Sequence, residues 1–302
     1  MTDPAAANDF LQKIGATRSV RRDVVLAAAG VRTSRLLLTR KGVETLPQLG
    51  NVTGKGLHWR VLPQRFRLQT DPTLAYSNEM APGSEGRQVV LLGTDEGALR
   101  ELDDMPSDAT VGALLGIPPC CVVAYLDRAA TALSVDGDFT ALTRRPVLTV
   151  PAIENPVGRY FDRGFFDHFV CEVGCRATRE VALRHAQALM TFAPQLAFEL
   201  LSEGTFLHRP GEGVHRIGLM GAAGETPCLV HECTNDKTPF ARRIRAATAV
   251  RATTGGRIAL QAPNSQWFEE DAWWVSVRGG EPELGLLRLD DLNGVLALPG
   301  AP

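Results

Sequence analysis

The spacing of apolar residues predicts helix at the start of the chain and short strands after it. Residues 7–30 have helical spacing, most clearly in VRRDVVLAAAGV. Residues 57–68, LHWRVLPQRFRL, suit a strand that a proline interrupts. The run QVVLLGT, residues 88–94, is short and apolar, which is typical of a buried strand. The intervening SNEMAPGSEGR, residues 77–87, is rich in turn-forming residues and predicts a loop or a boundary.

Helix signals dominate the middle of the chain. Thr94 can cap a helix through DEGALREL, because its hydroxyl can accept a hydrogen bond from a backbone N–H group. A second helix is predicted over residues 107–116. Pro118 and Pro119 fit the first turn of a third helix, where no backbone N–H is needed. A longer helical pattern, with one proline inside it, covers residues 172–203.

After Gly204 the pattern changes to short strands around one helix, PFARRIRAATAVRA. The predicted strands are residues 214–220, 227–233, 257–262, 272–278 and 284–288. The chain is therefore predicted to be an α+β, or mixed α/β, protein with a helical middle and a sheet-rich C-terminal part. The changes of pattern suggest three regions, residues 1–86, 87–203 and 204–302, and leave open that all three form one compact domain.

Composition and charge narrow the class of protein. The 302 residues are 44% hydrophobic and 22% charged, with a formal net charge of -2, as in ordinary globular proteins. This charge favours neither a nucleic acid nor a membrane surface as partner. The partner that we expect is a small-molecule substrate. The N-terminus lacks the pattern of a secretory signal, and no apolar run approaches the roughly 20 residues of a membrane span. We therefore expect a cytoplasmic protein. The sequence leaves its oligomeric state open, and a homo-oligomer is one possibility.

Four of the six cysteines form two close pairs. Cys120 and Cys121 directly follow the two prolines, and Cys171 and Cys175 lie in DHFVCEVGCRATREVA. On a helix, the second pair would share one face with apolar residues. Both pairs are predicted at helix N-termini, whose partial positive charge favours thiolate, the form that binds metals. Since cytoplasmic thiols stay reduced, the sequence predicts one four-sulfur site that holds a metal or carries out redox chemistry.

The residues leave the identity of the bound group open. Zinc suits C-x2-4-C pairs, but adjacent cysteines favour an iron–sulfur cluster, in which neighbouring thiolates can bind different iron atoms. Such a cluster predicts an enzyme of sulfur transfer, lyase or redox chemistry. The alternatives are a non-catalytic protein with structural zinc, a metal-free thiol–disulfide protein, and cysteines that only pack in the core. The C-x3-C-x2-C motif of radical S-adenosylmethionine enzymes fails, because its third position is Thr178.

The two cysteine segments together resemble an uncharacterised prokaryotic family. That family has a Leu-Gly-Tyr-Pro-x-Cys-Cys core and a downstream His-x-Pro-Cys-x-x-x-Cys segment. The matching residues are Leu115, Gly116, Ile117, Pro118, Pro119, Cys120 and Cys121, followed by His168, Phe169, Val170, Cys171 and Cys175. Ile117 stands in place of the family's tyrosine, and Val170 in place of its second proline. The resemblance covers roughly residues 88–190 and implies a shared four-cysteine site with His168 nearby; it implies no reaction.

Two titratable side chains lie close to the second pair in sequence. His168, three residues before Cys171, is a candidate metal ligand, catalytic acid or base, or hydrogen-bond partner of a thiolate. Glu172 is a weaker candidate for the catalytic acid or base. A histidine that only caps the turn before the helix is the structural alternative for His168.

A second group of metal-compatible residues lies in the C-terminal part. CLVHEC contains Cys228, His231 and Cys233, and His208 and His215 precede it. On a strand, alternation would place His231 and Cys233 on one face and Cys228 on the other. Because that arrangement divides the set, buried thiols and hydrogen-bonded histidines are the favoured interpretation.

Overall fold

The structure is a computed structural model of the chain. It describes residues 2–54, 56–66, 86–101, 107–133, 148–201, 204–209, 212–220, 228–233, 236–247, 249–252, 258–261, 267–270, 273–278 and 295–297. Within these residues, helices and mostly antiparallel sheets occur in different parts of the chain, which confirms the predicted α+β class.

The N-terminal part packs four helices beside a small sheet. The helices are α1 (Pro4–Lys13), α2 (Arg18–Ala28), α3 (Arg40–Glu44) and α4 (Leu46–Thr53); the strands are β1 (Ser34–Leu38), β2 (His58–Phe66) and β3 (Arg87–Gly93). The three strands are antiparallel in the order β1-β3-β2. The register of β2 against β3 shifts between Val61 and Arg65. This irregularity includes Pro63, the residue predicted to interrupt the strand. This sheet joins strands from both sides of residue 86, and the division into three regions stays a prediction.

The middle of the chain is helical. It contains α5 (Glu96–Glu101), α6 (Asp108–Leu114), α7 (Pro119–Leu133), α8 (Arg176–Phe192) and α9 (Pro194–Leu200), with strand β4 (Leu148–Pro151) and two 3-10 turns (Ala152–Glu154 and Gly158–Phe161). The predicted cap of α5 is wrong by one residue. The side chain of Asp95, not Thr94, accepts hydrogen bonds from the N–H groups of Gly97 and Ala98, because a carboxylate two or three residues upstream reaches both groups.

The C-terminal part is rich in strands. Its elements are β5 (Gly204–Arg209), β6 (Gly213–Met220), β7 (Cys228–Cys233), α10 (Pro239–Ala246), β8 (Ala249–Ala252), β9 (Ile258–Gln261), β10 (Trp267–Glu270), β11 (Trp273–Arg278) and β12 (Val295–Ala297). Two sheets form, in the orders β4-β11-β5-β6-β7 and β10-β9-β8-β12. The predicted helix PFARRIRAATAVRA is too long. The observed helix α10 ends at Ala246, and the last four residues of the predicted helix form β8. The predicted strand at 284–288 lies outside the described residues.

One hydrophobic core cluster fixes the segment that carries the second cysteine pair. Val25 and Leu26 of α2 pack with Phe165 and Phe166, and residues of α8 and α9 complete the cluster. Both phenylalanines are 2% exposed. Burying such aromatic side chains stabilises the fold by about 2 kcal/mol each. The segment that leads to the cysteines is therefore held between α2 and α8.

Among the described residues, no helix combines the length and the apolar character that crossing a bilayer requires.

Truncation of a core side chain of α8 should show how strongly this cluster stabilises the fold. Leu189 is fully buried in it, whereas Leu183 on the same helix is 49% exposed. We expect Leu189→Ala to lower the free energy of unfolding by about 2–5 kcal/mol. Leu183→Ala should change it by less than about 0.5 kcal/mol. Urea denaturation followed by circular dichroism measures both, and equal losses would contradict this assignment of the core.

Candidate metal centre

The first cysteine pair lies in the first turn of α7. Helix α6 ends at Leu114, and Leu115 is its C-cap residue. Gly116 follows with a φ of 70°, which glycine adopts readily, and the chain then enters the two prolines. Pro119 begins α7, as the sequence predicted, and its first turn contains both cysteines. Cys120 is exposed, whereas Cys121 is 1% exposed. The two neighbours therefore face different surroundings.

The second pair straddles the start of α8, and one sequence prediction fails here. Cys175 is the N-cap residue of α8, so that helix begins at Arg176 and Cys171 lies in the preceding turn. The expectation that both cysteines share one helical face is therefore wrong. The physical reason is Gly174, whose φ of 81° is left-handed and interrupts any helix from Cys171 to Cys175.

The four sulfur atoms nevertheless converge. Cys175 Sγ lies 3.7 Å from Cys120 Sγ and 3.8 Å from Cys121 Sγ, and the two adjacent cysteines are 4.0 Å apart. The sulfur atoms of all four cysteines, including Cys171, lie within 4.8 Å of one another. Four thiols at these separations form a group that could bind a metal.

A threonine connects the thiols with the predicted histidine. Thr178 Oγ1 lies 3.3 Å from Cys121 Sγ and 3.0 Å from His168 Nε2. Both residues are almost completely buried, Thr178 at 3% and His168 at 8% exposure. The backbone N–H of Cys171 also donates to Cys121 Sγ, at 3.4 Å. His168 therefore reaches the thiols through the Thr178 hydroxyl.

The thiols differ in their acidity. Burial raises the pKa of Cys121 to about 11, and burial also raises the pKa of Cys171. Burial opposes ionisation of Cys175 as well, but the backbone and hydroxyl of Thr178 stabilise its thiolate and lower its pKa to about 7. At neutral pH the metal-free group therefore keeps at least two of its thiols protonated. Metal binding would release these protons, because the ligands must be thiolates.

Two arginines hold the backbone of the cysteine segment. Arg128 Nη1 donates to the carbonyl oxygen of Cys171 at 2.7 Å, and Arg159 Nη1 donates to that of His168 at 3.1 Å. The Arg159 guanidinium also lies 4.0 Å from the centre of the Phe169 ring. These contacts bring positive charge close to four groups that become negative when they bind a metal.

The candidate acid–base residues occupy different positions. Burial lowers the pKa of His168 to about 4, so its imidazole is neutral at pH 7. Glu172 is half-buried, and its carbonyl oxygen accepts from the Cys175 N–H at 3.2 Å. A catalytic role for either residue stays a prediction.

A cavity of about 250 Å³ adjoins the centre. Cys121 and His168 contribute to its wall, together with Asp167, Arg32 and several apolar residues. Glu172 is not part of this wall. The cavity thus lies beside Cys121, on one side of the cysteine group.

The C-terminal metal-compatible residues do not form a comparable group within the described side chains. Strand pairing sets His215 opposite Cys233. His215 is fully buried with its ring edge against Phe240, and burial raises the pKa of the half-buried Cys233. The side chains of Cys228, His231 and His208 lie outside the described residues, so for them the favoured interpretation, buried thiols and hydrogen-bonded histidines, stays a prediction.

Sequence patterns did not indicate several residues that shape the site, among them Thr178, Arg32, Asp167, Arg128 and Arg159. The sequence predicts no role for the Thr178 hydroxyl, since that position stands out only as the one where the C-x3-C-x2-C motif lacks its third cysteine. The charged residues belong to no motif, and their partners lie far away in the chain. Comparisons with known protein families, with characterised proteins and with solved structures find no significant match to this chain.

Oxidation of the metal-free protein should show that the two cysteine pairs lie close together, because only neighbouring thiols form a disulfide. We expect a disulfide between one cysteine of α7 and Cys175, because both Sγ–Sγ distances are below 4 Å. Trypsin would then release a linked pair of peptides, residues 101–128 with residues 164–176, detectable by mass spectrometry without reduction. Cys233 serves as an internal control that should not join either peptide. Random pairing of all cysteines would contradict the arrangement.

Proposed function

We propose that this protein binds one tetrahedral metal ion, zinc, through Cys120, Cys121, Cys171 and Cys175. The separations of the sulfur atoms carry the proposal. Zinc–sulfur bonds of about 2.3 Å place the corners of a tetrahedron about 3.8 Å apart. The separations among Cys120, Cys121 and Cys175 are 3.7, 3.8 and 4.0 Å. Adjacent cysteines therefore suit a single ion, because the first helical turn lets both sulfurs approach one point.

The surroundings of the thiols support the same proposal. A zinc ion with four thiolates carries a net charge of -2, which is costly at a buried site unless hydrogen bonds and positive charges compensate. Thr178 and the Cys171 N–H contact Cys121 Sγ, and Arg128 and Arg159 hold the carbonyl groups of the same segment. Such outer contacts orient metal ligands and raise metal affinity.

The ion would join segments that are distant in sequence. Cys120 and Cys175 are 55 residues apart, and each lies at or beside the start of a helix. Binding energy at such a centre is folding energy, since the unfolded chain has no preformed site. The proposed function thus includes the stabilisation of the α7–α8 arrangement and of the cavity beside it. The resemblance to the Cys-Cys and Cys-x-x-x-Cys family agrees with a shared site.

An iron–sulfur enzyme is the second candidate. The observation that favours it is the cavity, which brings Cys121 and His168 to one wall. Sulfur transfer, lyase or redox chemistry on a small molecule would then take place there. The close sulfur spacing favours the single ion, because thiolates on different iron atoms of a cluster are separated by the iron–iron distance as well.

Metal analysis of protein purified anaerobically without chelators tests the proposal. We expect one zinc per chain, little iron or labile sulfide, and no absorption in the visible range. Cys121→Ser should lose the zinc, whereas Cys233→Ser, which changes a thiol outside the group, should retain it. A brown protein that contains iron and labile sulfide would contradict the zinc proposal and would establish an iron–sulfur cluster as the cofactor. Absence of any metal would contradict both and leave dithiol chemistry.

Removal of the Thr178 hydroxyl should weaken metal binding without removing a ligand. Thr178→Val keeps the shape of the side chain but loses its contacts with Cys121 and His168. We expect zinc affinity to fall about 10–100-fold, the usual effect of losing an outer contact. Competition with a chromophoric chelator measures this change. Thr191→Val is the matched control, since Thr191 donates only to a helix carbonyl at the exposed end of α8.

A further inference from the structure

The cavity beside the centre has walls of two kinds. Aromatic side chains of Phe66, Tyr125 and Phe169 and the aliphatic side chains of Leu37, Leu115 and Ile117 form most of its surface. Arg32, Arg35, Asp167 and His168 form the polar part of the wall, to which Cys121 also contributes, and the Arg35 guanidinium lies 5.1 Å from the centre of the Phe66 ring. Largely apolar walls with a few converging polar groups are typical of small-molecule sites.

The polar part presents an acceptor and a donor side by side. Arg32 Nη1 lies 3.5 Å from Asp167 Oδ1, and the Asp167 side chain is 37% exposed. Burial opposes ionisation of Asp167, but Arg32 and Arg22 outweigh it and hold the pKa of that carboxyl well below its usual range. Asp167 lies 3.4 Å from Arg22 and 3.5 Å from Arg32, and both distances are longer than a charge-assisted hydrogen bond. The carboxylate oxygens can therefore accept further hydrogen bonds from a ligand.

Arg32 is fixed in place by its other contacts. Its Nε lies 3.2 Å from Ser34 Oγ and its Nη2 lies 3.0 Å from Asp23 Oδ1, and its side chain is only 8% exposed. A rigid guanidinium is preorganised to bind a carboxylate, and its two terminal nitrogens together carry four N–H groups. A ligand that binds beside Asp167 therefore does not need to immobilise the Arg32 side chain.

We propose that this cavity binds a free α-amino acid with an apolar or aromatic side chain. Asp167 would accept hydrogen bonds from the α-ammonium group, Arg32 would donate to the α-carboxylate, and the apolar walls would surround the side chain. This inference goes beyond the proposed metal centre and depends on it only for the position of Cys121 in the wall.

Charge and size both favour this class of ligand. A simple amine would be repelled by Arg32 and Arg35, and a simple carboxylate would be repelled by Asp167. A zwitterion with both charges on one carbon satisfies both side chains, which are themselves adjacent. A water molecule occupies about 30 Å³ in the liquid, so a cavity of about 250 Å³ has room for about eight waters or one amino acid of this kind.

Calorimetric titration of the full chain, with its metal content measured beforehand, tests the inference. The probes are L-phenylalanine and L-leucine, with 3-phenylpropionate lacking the amine and 2-phenylethylamine lacking the carboxylate. We expect one site per chain for at least one amino acid, and affinity at least about tenfold lower for each single-charge analogue of phenylalanine. Equal binding of either analogue, or no binding of any amino acid to folded protein, would overturn the inference.

Two variants locate the binding in this cavity. Asp167→Asn should weaken binding at least about tenfold, whereas Asp127→Asn, on an exposed position of α7, should not change it. Since Asp167 also contacts Arg22 and Arg32, Ile117→Phe serves as a second variant that fills the cavity without altering a charge. Unchanged affinity in Ile117→Phe would overturn the inference. The metal content of every variant is measured as well. If it is unchanged, a loss of amino-acid affinity cannot be due to a loss of the metal.

Discussion

Two arginines that are almost entirely removed from water determine where the cysteine segment can lie. Arg22 is 1% exposed, and its guanidinium contacts Asp23 at 2.8 Å, the carbonyl oxygen of Gly164 at 2.9 Å and Asp167 at 3.4 Å. Arg32 contacts the same two aspartates. A buried charge without partners is strongly destabilising, so the fold must bring Gly164 and Asp167 to these arginines. The charge pairs thus tie α2 and β1 to a segment more than 130 residues away.

The position of the cysteine segment follows from these charge pairs. Phe165 and Phe166 lie between the two anchored residues and fill the core against α2 and α8. His168 comes next, and Arg159 holds its carbonyl oxygen, while Arg128 of α7 holds that of Cys171. Each contact narrows the positions available to the Cys171–Cys175 turn. Cys175, the N-cap residue of α8, then lies with its sulfur atom within 4 Å of both sulfur atoms in the first turn of α7.

The parts of this arrangement that depend on local chemistry could be predicted from the sequence, and the others could not. Prolines and a glycine predicted where α6 ends and α7 begins, and the paired cysteines predicted a four-sulfur group. The same reasoning placed Cys171 on a helix, because helical spacing continues through residues 171–175 and only the backbone of Gly174 interrupts it. Arg22, Arg32 and Asp167 belong to no motif, since their pairing depends on three-dimensional proximity across the whole N-terminal half.

The asymmetry of the cysteine group bears on what the centre can do. Cys120 is exposed, Cys121 is buried and contributes to the cavity wall, and Cys175 is buried. A single ion bound by four thiolates has no open position, so a molecule in the cavity would meet Cys121, His168 and Asp167 rather than the metal. Structural zinc sites are closed in this way, whereas catalytic sites keep a position for water or substrate. With such a closed centre, the side chains in the cavity wall, and not an open coordination position, would determine which molecules the cavity can hold.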